Sequence, residues 1–180
     1  MRAARRIMTA LLGTALAILV LGLALRVYLG REAEDRLAPD DAVRIAELRS
    51  PLPKASHLAC PPDYCSTAEA VASPEFDMPW ARLFEYWAEV ISGEKRMVSV
   101  VDDRDARRFV YIQHSPTFRF PDIVTVEFVP LGPTRSSVAI FSRSRYGEYD
   151  FRKNRKRVGR WLALLEKMAR PGAERVERPK

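Results

Sequence analysis

The sequence concentrates its most distinctive chemistry between residues 141 and 166, where it reads FSRSRYGEYDFRKNRKRVGRWLALLE. Arg143 and Arg145 are two residues apart and therefore share one face of a strand, and further cations crowd the start of the helix that follows. Each cation at an exposed helix start costs about 0.3–1 kcal/mol, so carboxylates such as Glu148 and Asp150, or an external anion, must offset them. The candidate anion-binding and partner-binding residues are Arg143, Arg145, Arg152, Lys153, Arg155, Lys156 and Arg157.

The same stretch also predicts an internal polar network. The guanidinium groups of Arg145 and Arg155 suit planar, two-point contact with a carboxylate or phosphate. Asp122 or Asp150 supplies an internal carboxylate, and Asn154 bridges backbone groups, so that the strand end and the helix start are held together. The predicted network residues are Asp122, Ser142, Ser144, Gly147, Asp150 and Asn154, and the cations expected to point outward are Arg152, Lys153 and Lys156.

Cys60 and Cys65 are the two cysteines of the chain, and four residues separate them. Thiolate metal sites usually present such pairs in duplicate or with histidine partners, and the one histidine nearby is His57. A local disulfide is therefore favoured over free structural thiols or a metal site. It would hold the start of the domain in place, and it favours an oxidising compartment.

Catalytic chemistry has little support in the sequence. His114 follows a strand, where a hydrogen-bonded structural role is favoured over that of a general base, which also needs an orienting partner and a nucleophile. The acidic run at 102–105 is better explained by turn residues than by a cation site. We therefore predict no catalytic residue, no metal and no cofactor. An enzyme would need a polar pocket that holds His114 or the pair of Asp122 and Arg145.

An uncharged apolar stretch near the amino terminus predicts a membrane anchor. Residues 7–25 contain no charge, and as a helix they span roughly 28 Å, close to the hydrocarbon thickness of a bilayer. A cleaved signal peptide is the alternative, but its apolar region is typically only about 7–15 residues long and ends at a small-residue cleavage site. We predict a basic head at 1–6 and a transmembrane anchor at 7–25.

The position of the charges bears on the compartment and the partner. The chain has 30 Lys and Arg against 23 Asp and Glu, a net charge of +7, and residues 143–180 alone hold 13 basic and five acidic residues. A basic head before an apolar run is typical of a signal-anchor, so the domain is expected in a bacterial periplasm, anchored in the inner membrane. Nucleic acid is then not expected as a partner. The expected partners are anionic lipid head groups, an acidic envelope polymer or the acidic surface of a membrane protein complex.

Hydrophobic periodicity predicts the elements that position these residues. Residues 26–58 are expected to form a stalk, in which Pro51 and Pro53 end a short helix. A longer helix is expected to begin at Pro79, which suits a first helical turn, and to stop at Gly93. Its apolar face consists of Trp80, Leu83, Phe84, Trp87 and Ile91.

Four runs rich in β-branched and aromatic residues predict strands, at 97–101, 109–114, 123–129 and 136–145. Short loops between them favour antiparallel neighbours. A final helix opens at Asp150, and a flexible tail is expected at 171–180. We therefore predict an α+β domain over 59–170, a four-stranded antiparallel meander with one helix before it and a long C-terminal helix, both on one face of the sheet.

The segments CPPDYCS, RFPDIVTVEF and SRSRYGEYDFRKNRKRV together resemble domain-of-unknown-function family 1499, over roughly residues 58–166. The resemblance implies an envelope or thylakoid setting and brings no established reaction. One departure is Arg152, where relatives tend to have Gly. The residues at family positions are Ser142, Ser144, Arg145, Gly147, Asp150, Asn154, Arg155 and Arg157, with Cys65 and Asp122 as weaker matches.

These observations favour a non-catalytic, membrane-anchored domain outside the cytoplasm, whose basic surface binds an anionic partner or the membrane surface. One alternative is an accessory or assembly subunit of an inner-membrane respiratory or photosynthetic complex. A second is an envelope enzyme or a domain that binds an apolar ligand. The aromatic residues that would line such a ligand are Trp80, Phe84, Trp87, Phe118 and Phe120.

Overall fold

The computed structural model describes residues 2–35, 41, 43–117 and 119–170. Helix α1 (Arg2–Asp35) contains one apolar segment, Arg6–Tyr28, that is long enough to cross a membrane, has a mean hydropathy of 2.4 and is not buried against the rest of the protein. The predicted head and anchor thus lie in one helix, which continues past residue 25. The predicted tail at 171–180 lies outside the described residues.

Seven strands form one sheet in the order β2-β1-β7-β6-β5-β4, and β3 also pairs with β7. Strands β4 to β7 form the expected antiparallel meander. The prediction of only four strands is wrong, because β1 pairs antiparallel with β7 and parallel with β2, which makes the sheet mixed. The elements are β1 (Ser56–Cys60), β2 (Val71–Ala72), β3 (Glu75–Phe76), α2 (Trp80–Ser92), β4 (Met97–Asp103), β5 (Arg108–His114), β6 (Pro121–Pro130), β7 (Ser136–Ser144) and α3 (Lys153–Ala169).

Helices α2 and α3 pack on the same face of the sheet and enclose the main core. Alternation along β6 turns Val124, Val126 and Phe128 toward them. Trp87 of α2 meets Trp161 of α3 edge to face, with ring centroids 5.3 Å apart, and both rings are fully buried. The apolar face of α2 therefore serves packing, as aromatic residues at helical spacing usually do.

Glu94, just after α2, holds α3 against the sheet. Its carboxylate accepts hydrogen bonds from Arg160 and Trp161 of α3 at 2.5 and 2.8 Å and from Gln113 of β5 at 3.0 Å. Burial alone raises the pKa of Glu94, but these hydrogen bonds outweigh burial and hold the pKa below its ordinary value. The ionised carboxylate fixes the middle of α3, and thereby the place where α3 begins.

The sheet face opposite the helices carries a second core, which includes residues that precede β1. Ile45 lies in a short 3₁₀ turn (Ile45–Glu47) and is fully buried in one cluster with Leu58 and Phe141. Asp41 is buried as well. The prediction of a stalk over 26–58 is therefore wrong from residue 41 onward, because a three-residue turn has no periodicity that could reveal its burial against the sheet.

A disulfide joins Cys60, at the end of β1, to Cys65, with the two Cα atoms 6.2 Å apart. The closed loop carries Tyr64, whose hydroxyl donates a hydrogen bond to Glu127 at 2.8 Å. The backbone N–H of Ile45 donates to the other oxygen of Glu127 at 3.1 Å. Burial, and then the bond to Glu127, raises the pKa of Tyr64. The loop thus helps to satisfy a buried carboxylate on the second core.

Reduction of the Cys60–Cys65 disulfide is expected to lower the free energy of unfolding by about 2 kcal/mol, because the open chain regains the entropy that closing this short loop removes. Urea unfolding of the full chain in detergent micelles, with and without reductant, measures the loss. The double variant Cys60→Ala/Cys65→Ala should be similarly destabilised and should not respond to reductant. Equal stability of the oxidised and reduced wild-type chain would contradict the prediction.

Candidate functional site

The residues that carry the family resemblance lie close together where β6 begins, β7 ends and α3 starts. Asp122 of β6 is the register partner of Ser144 of β7. Residues 145–152, here called the motif loop, lead from the end of β7 to the start of α3. One end of the sheet therefore presents the strand residues and the helix residues of the motif side by side.

A buried ion pair forms the centre of this site. Arg157, on the inner side of α3, places a guanidinium nitrogen 2.5 Å from a carboxylate oxygen of Asp122, whose other oxygen accepts a hydrogen bond from Ser144 at 2.9 Å. Arg157 also donates to Ser142 at 2.9 Å and to Asn154 at 2.7 Å. The side chains of Asp122 and Arg157 are 4% and 8% exposed. The network joins β6, β7 and α3.

Asp150 caps α3 from within the motif loop. Its two carboxylate oxygens accept hydrogen bonds from the backbone N–H groups of Arg152 and Asn154, both at 2.9 Å. Phe151 and Arg152 adopt left-handed φ values of 52° and 61°, and Gly147 has a φ of 85°. Such a φ costs a residue with a side chain about 1–2 kcal/mol, so the backbone at Phe151 and Arg152 is strained where a glycine would not be.

Three cations that were predicted to bind an external anion are paired inside the protein instead. Arg157 compensates Asp122. Arg143 and Arg145 lie 2.6 and 3.3 Å from the buried carboxylate of Asp41. The expectation that Arg145 pairs with Asp122 or Asp150 is therefore also wrong. The reason is strand alternation: Ser142 faces α3, so Arg143 points to the opposite face of the sheet, where Asp41 lies.

Four cations of the cluster are exposed around the start of α3, namely Arg152, Lys153, Arg155 and Lys156. The ammonium group of Lys153 lies 3.7 Å from the carboxylate of Asp122, beyond hydrogen-bond distance, and the side chain is 46% exposed. Lys153 therefore stands at the edge of the network rather than fully outward. Burial, and then the charge of Arg155, lowers the pKa of His57, so this nearby imidazole stays neutral at pH 7.

The motif loop also borders a cavity of about 600 Å³, here called the cleft, which has Asp122 and Lys153 among its lining residues. Aromatic side chains of Phe120 and the motif loop surround it, and Tyr149 and Phe151 are 83% and 86% exposed. The cleft was not predicted from the sequence, because aromatic residues in an irregular loop follow no period. The available signal was a set of three aromatic residues within the polar stretch 146–151.

The aromatic residues proposed to line an apolar pocket do not meet in one place. Trp80, Phe84 and Trp87 pack in or against the main core between the helices and the sheet. Phe120 borders the cleft, and Phe118 lies outside the described residues. Most of that predicted pocket is therefore core, and the cleft is a different site.

The remaining candidates for catalysis or metal binding are explained by their positions in the fold. His114 is buried at the end of β5. In the acidic turn, Asp102 lies 3.3 Å from Arg104, and Asp103 accepts a hydrogen bond from the N–H of Ala106 at 2.9 Å. Over the part of the chain that the structure describes, no three His, Cys, Asp or Glu side chains are grouped to hold a metal ion. That the protein uses no metal or cofactor stays a prediction.

Comparisons with known proteins concern the family and not the activity. Residues 55–165 match the family described as protein of unknown function (DUF1499). Among solved structures, a solution NMR structure of a protein from Thermobifida fusca aligns with a TM-score of 0.34 and 15% identity, over 63% of this chain and 82% of that chain. No curated protein matches the sequence. With the matched residues covering most of the folded domain, the chain belongs to the DUF1499 family.

Proposed function

We propose that this protein is a non-catalytic, single-span protein of a bacterial inner membrane, and that its periplasmic domain docks on anionic lipid head groups of that membrane. The observation that carries the proposal is the exposure of two aromatic residues and four cations at one place in the fold. This docking surface consists of Tyr149, Phe151, Arg152, Lys153, Arg155 and Lys156.

The composition of the docking surface fits a membrane interface. Aromatic side chains such as Tyr149 and Phe151 enter the boundary between head groups and acyl chains, while long cationic side chains stay with the head groups. Each Lys or Arg near an anionic surface contributes about 1 kcal/mol of attraction. Two aromatic residues and four cations therefore supply both kinds of interaction that interfacial binding uses.

The docking surface is also within reach of the anchor. Helix α1 continues for seven residues beyond Tyr28, which adds about 10 Å. Asp41 follows Asp35 by six residues, which a chain spans in at most about 22 Å. Asp41 is ion-paired with Arg145, the first residue of the motif loop, at 3.3 Å. With the lengths of the Asp41 and Arg145 side chains included, the motif loop therefore starts at most roughly 45 Å from the membrane end of the anchor.

The disulfide supports the compartment. Disulfides such as Cys60–Cys65 persist in the periplasm and are rare in the cytosol, and the basic residues before the apolar segment are typical of a signal-anchor. In that compartment we favour lipid over the acidic surface of a membrane complex. The bilayer lies within reach of every anchored molecule, and exposed aromatic residues suit its interface.

The test uses the full chain carrying Tyr149→Trp, reconstituted in vesicles of brominated phosphatidylcholine with or without phosphatidylglycerol. Brominated acyl chains quench a tryptophan that touches them. We expect quenching at residue 149 in the anionic vesicles, beyond that of the parent chain with its three native tryptophans. Replacing Arg152, Arg155 and Lys156 with Glu in the same background should abolish this extra quenching, because it reverses the attraction.

Leu131→Trp is the matched control, since Leu131 is also partly exposed but lies in the turn between β6 and β7, at the other end of the sheet. In both kinds of vesicle, Leu131→Trp should show no quenching beyond that of the parent chain. Equal quenching at residues 131 and 149, or quenching at 149 that survives the charge reversal, would overturn the proposal. Lack of quenching at 149 would likewise remove lipid as the partner.

A further inference from the structure

We infer that the cleft holds one molecule of an anionic amphiphile, with its apolar part among the aromatic side chains and its charged group on Lys153. The inference rests on the proposed function, because the membrane beside the docking surface is the source of such molecules. It goes further by assigning a ligand to the cavity itself. Docking alone requires only the outer surface of the motif loop and of α3.

The size and lining of the cleft suit a small molecule. Its volume of about 600 Å³ lies within the range of about 300–1,000 Å³ that is typical of ligand pockets. The lining is mainly apolar and includes Pro116, Phe120, Tyr146 and Phe151. Such a surface favours a hydrocarbon or ring system as the body of the ligand.

The charges in and beside the cleft favour an anion. Two cations, Arg157 and Lys153, lie beside the carboxylate of Asp122, at 2.5 and 3.7 Å. Arg157 is buried and makes the short contact, so it compensates Asp122 without help. The ammonium group of Lys153 is therefore able to turn to an anionic group in the cleft, and Asp122 keeps its partner when it does.

The carboxylates near the cleft do not suit a cationic ligand. One oxygen of Asp122 is bonded to Arg157 and the other to Ser144. Both oxygens of Asp150 accept backbone N–H groups at the start of α3. A cation would have to break these bonds before it gained a carboxylate, whereas an anion finds Lys153 half exposed.

Two exposed aromatic residues stand at the cleft. Tyr149 and Phe151 both line the cleft and are more than four-fifths exposed. Exposed aromatic side chains next to an apolar cavity typically mark a binding site, because a ligand removes their surface from water. The ligand would bury part of both rings together with the walls of the cleft.

The test titrates octyl phosphate into the full chain in phosphatidylcholine nanodiscs, where no anionic lipid competes. Calorimetry, corrected with empty nanodiscs, gives the affinity, and native mass spectrometry gives the stoichiometry. We expect saturable binding of one octyl phosphate per chain. Octyl glucoside, which lacks the charge, and inorganic phosphate, which lacks the apolar chain, should both bind more weakly. Inorganic phosphate that binds as tightly as octyl phosphate would reveal a simple anion site and overturn the inference.

Two variants test the two halves of the site. Lys153→Ala should weaken octyl phosphate binding about tenfold or more, the loss of one charge-assisted hydrogen bond. Phe120→Ala should weaken it by a similar factor through the lost apolar contact. The matched controls Lys167→Ala and Leu131→Ala change exposed residues that do not line the cleft and should stay within about twofold. The inferred ligand site would also be overturned if the site variants and the controls changed octyl phosphate affinity equally, or if octyl phosphate showed no saturable binding.

Phe120→Ala separates this inference from the docking proposal, because Phe120 does not belong to the docking surface. The variant should lose octyl phosphate affinity and keep the vesicle quenching of Tyr149→Trp. Binding of octyl phosphate without quenching at residue 149 would overturn docking and leave the cleft site standing. Quenching at residue 149 without octyl phosphate binding would overturn the cleft site and leave docking standing.

Discussion

Asp122→Ala is expected to lower the free energy of unfolding by about 3–5 kcal/mol, because it leaves a buried charge without its partner. The guanidinium group of Arg157 lies 2.5 Å from Asp122 and is 8% exposed. Lys153 carries the same sign as Arg157 and cannot replace the lost carboxylate. Urea unfolding of the full chain in detergent micelles measures the loss through tryptophan fluorescence, since all three tryptophans lie in the folded domain.

Arg157→Met should cost less than Asp122→Ala. When Arg157 is removed, the ammonium group of Lys153, 3.7 Å from Asp122, can move closer and compensate the carboxylate. Glu148→Ala is the matched control: it removes an ion pair of 3.0 Å with Lys54 in which both side chains are mostly exposed, so it should cost less than about 1 kcal/mol. A loss for Glu148→Ala equal to that for Asp122→Ala, or a larger loss for Arg157→Met, would contradict this account of the pair.

Length decides which elements can be predicted from the sequence. Strands β4 to β7 have seven to ten residues and helices α2 and α3 have 13 and 17, so each shows its period over several repeats. Strands β2 and β3 have two residues each and show none. The pairing of β1 with β7 joins segments more than 80 residues apart, and no local pattern encodes such a contact.

For the site as well, the sequence predicts which residue types take part but not which residues pair with one another. Residue types identify the cations and carboxylates of the network, and strand parity separates Ser142 from Arg143. Parity does not reveal which face receives α3, and it gives no indication of Asp41, which lies 102 residues before Arg143 in the sequence and binds it in the structure. The pairing of distant residues in the folded domain therefore decides which cations face outward. Four cations are left exposed beside the cleft.

The burial of Ile45 makes the start of the domain testable. Ile45 is fully buried on the second core with Leu58 and Phe141, so Ile45→Ala is expected to lower the free energy of unfolding by about 2–5 kcal/mol through lost apolar burial and the cavity left behind. The backbone N–H that donates to Glu127 is retained in this variant, so the loss reports the side chain alone. A residue in a solvated stalk would show no such loss.

Glu47→Ala is the control for Ile45→Ala, two residues further along the same turn. Its side chain is exposed and makes a surface contact with Arg44 at 3.9 Å, so its effect should stay within about 0.5 kcal/mol. Urea unfolding of both variants in micelles gives the comparison. The free energies of unfolding of Ile45→Ala and Glu47→Ala could instead differ by less than about 1 kcal/mol, which is below the cost of truncating a buried core side chain. This segment would then be a tether after all. The reach from the anchor to the motif loop, which depends on residue 41 being held against β7, would then be lost as well.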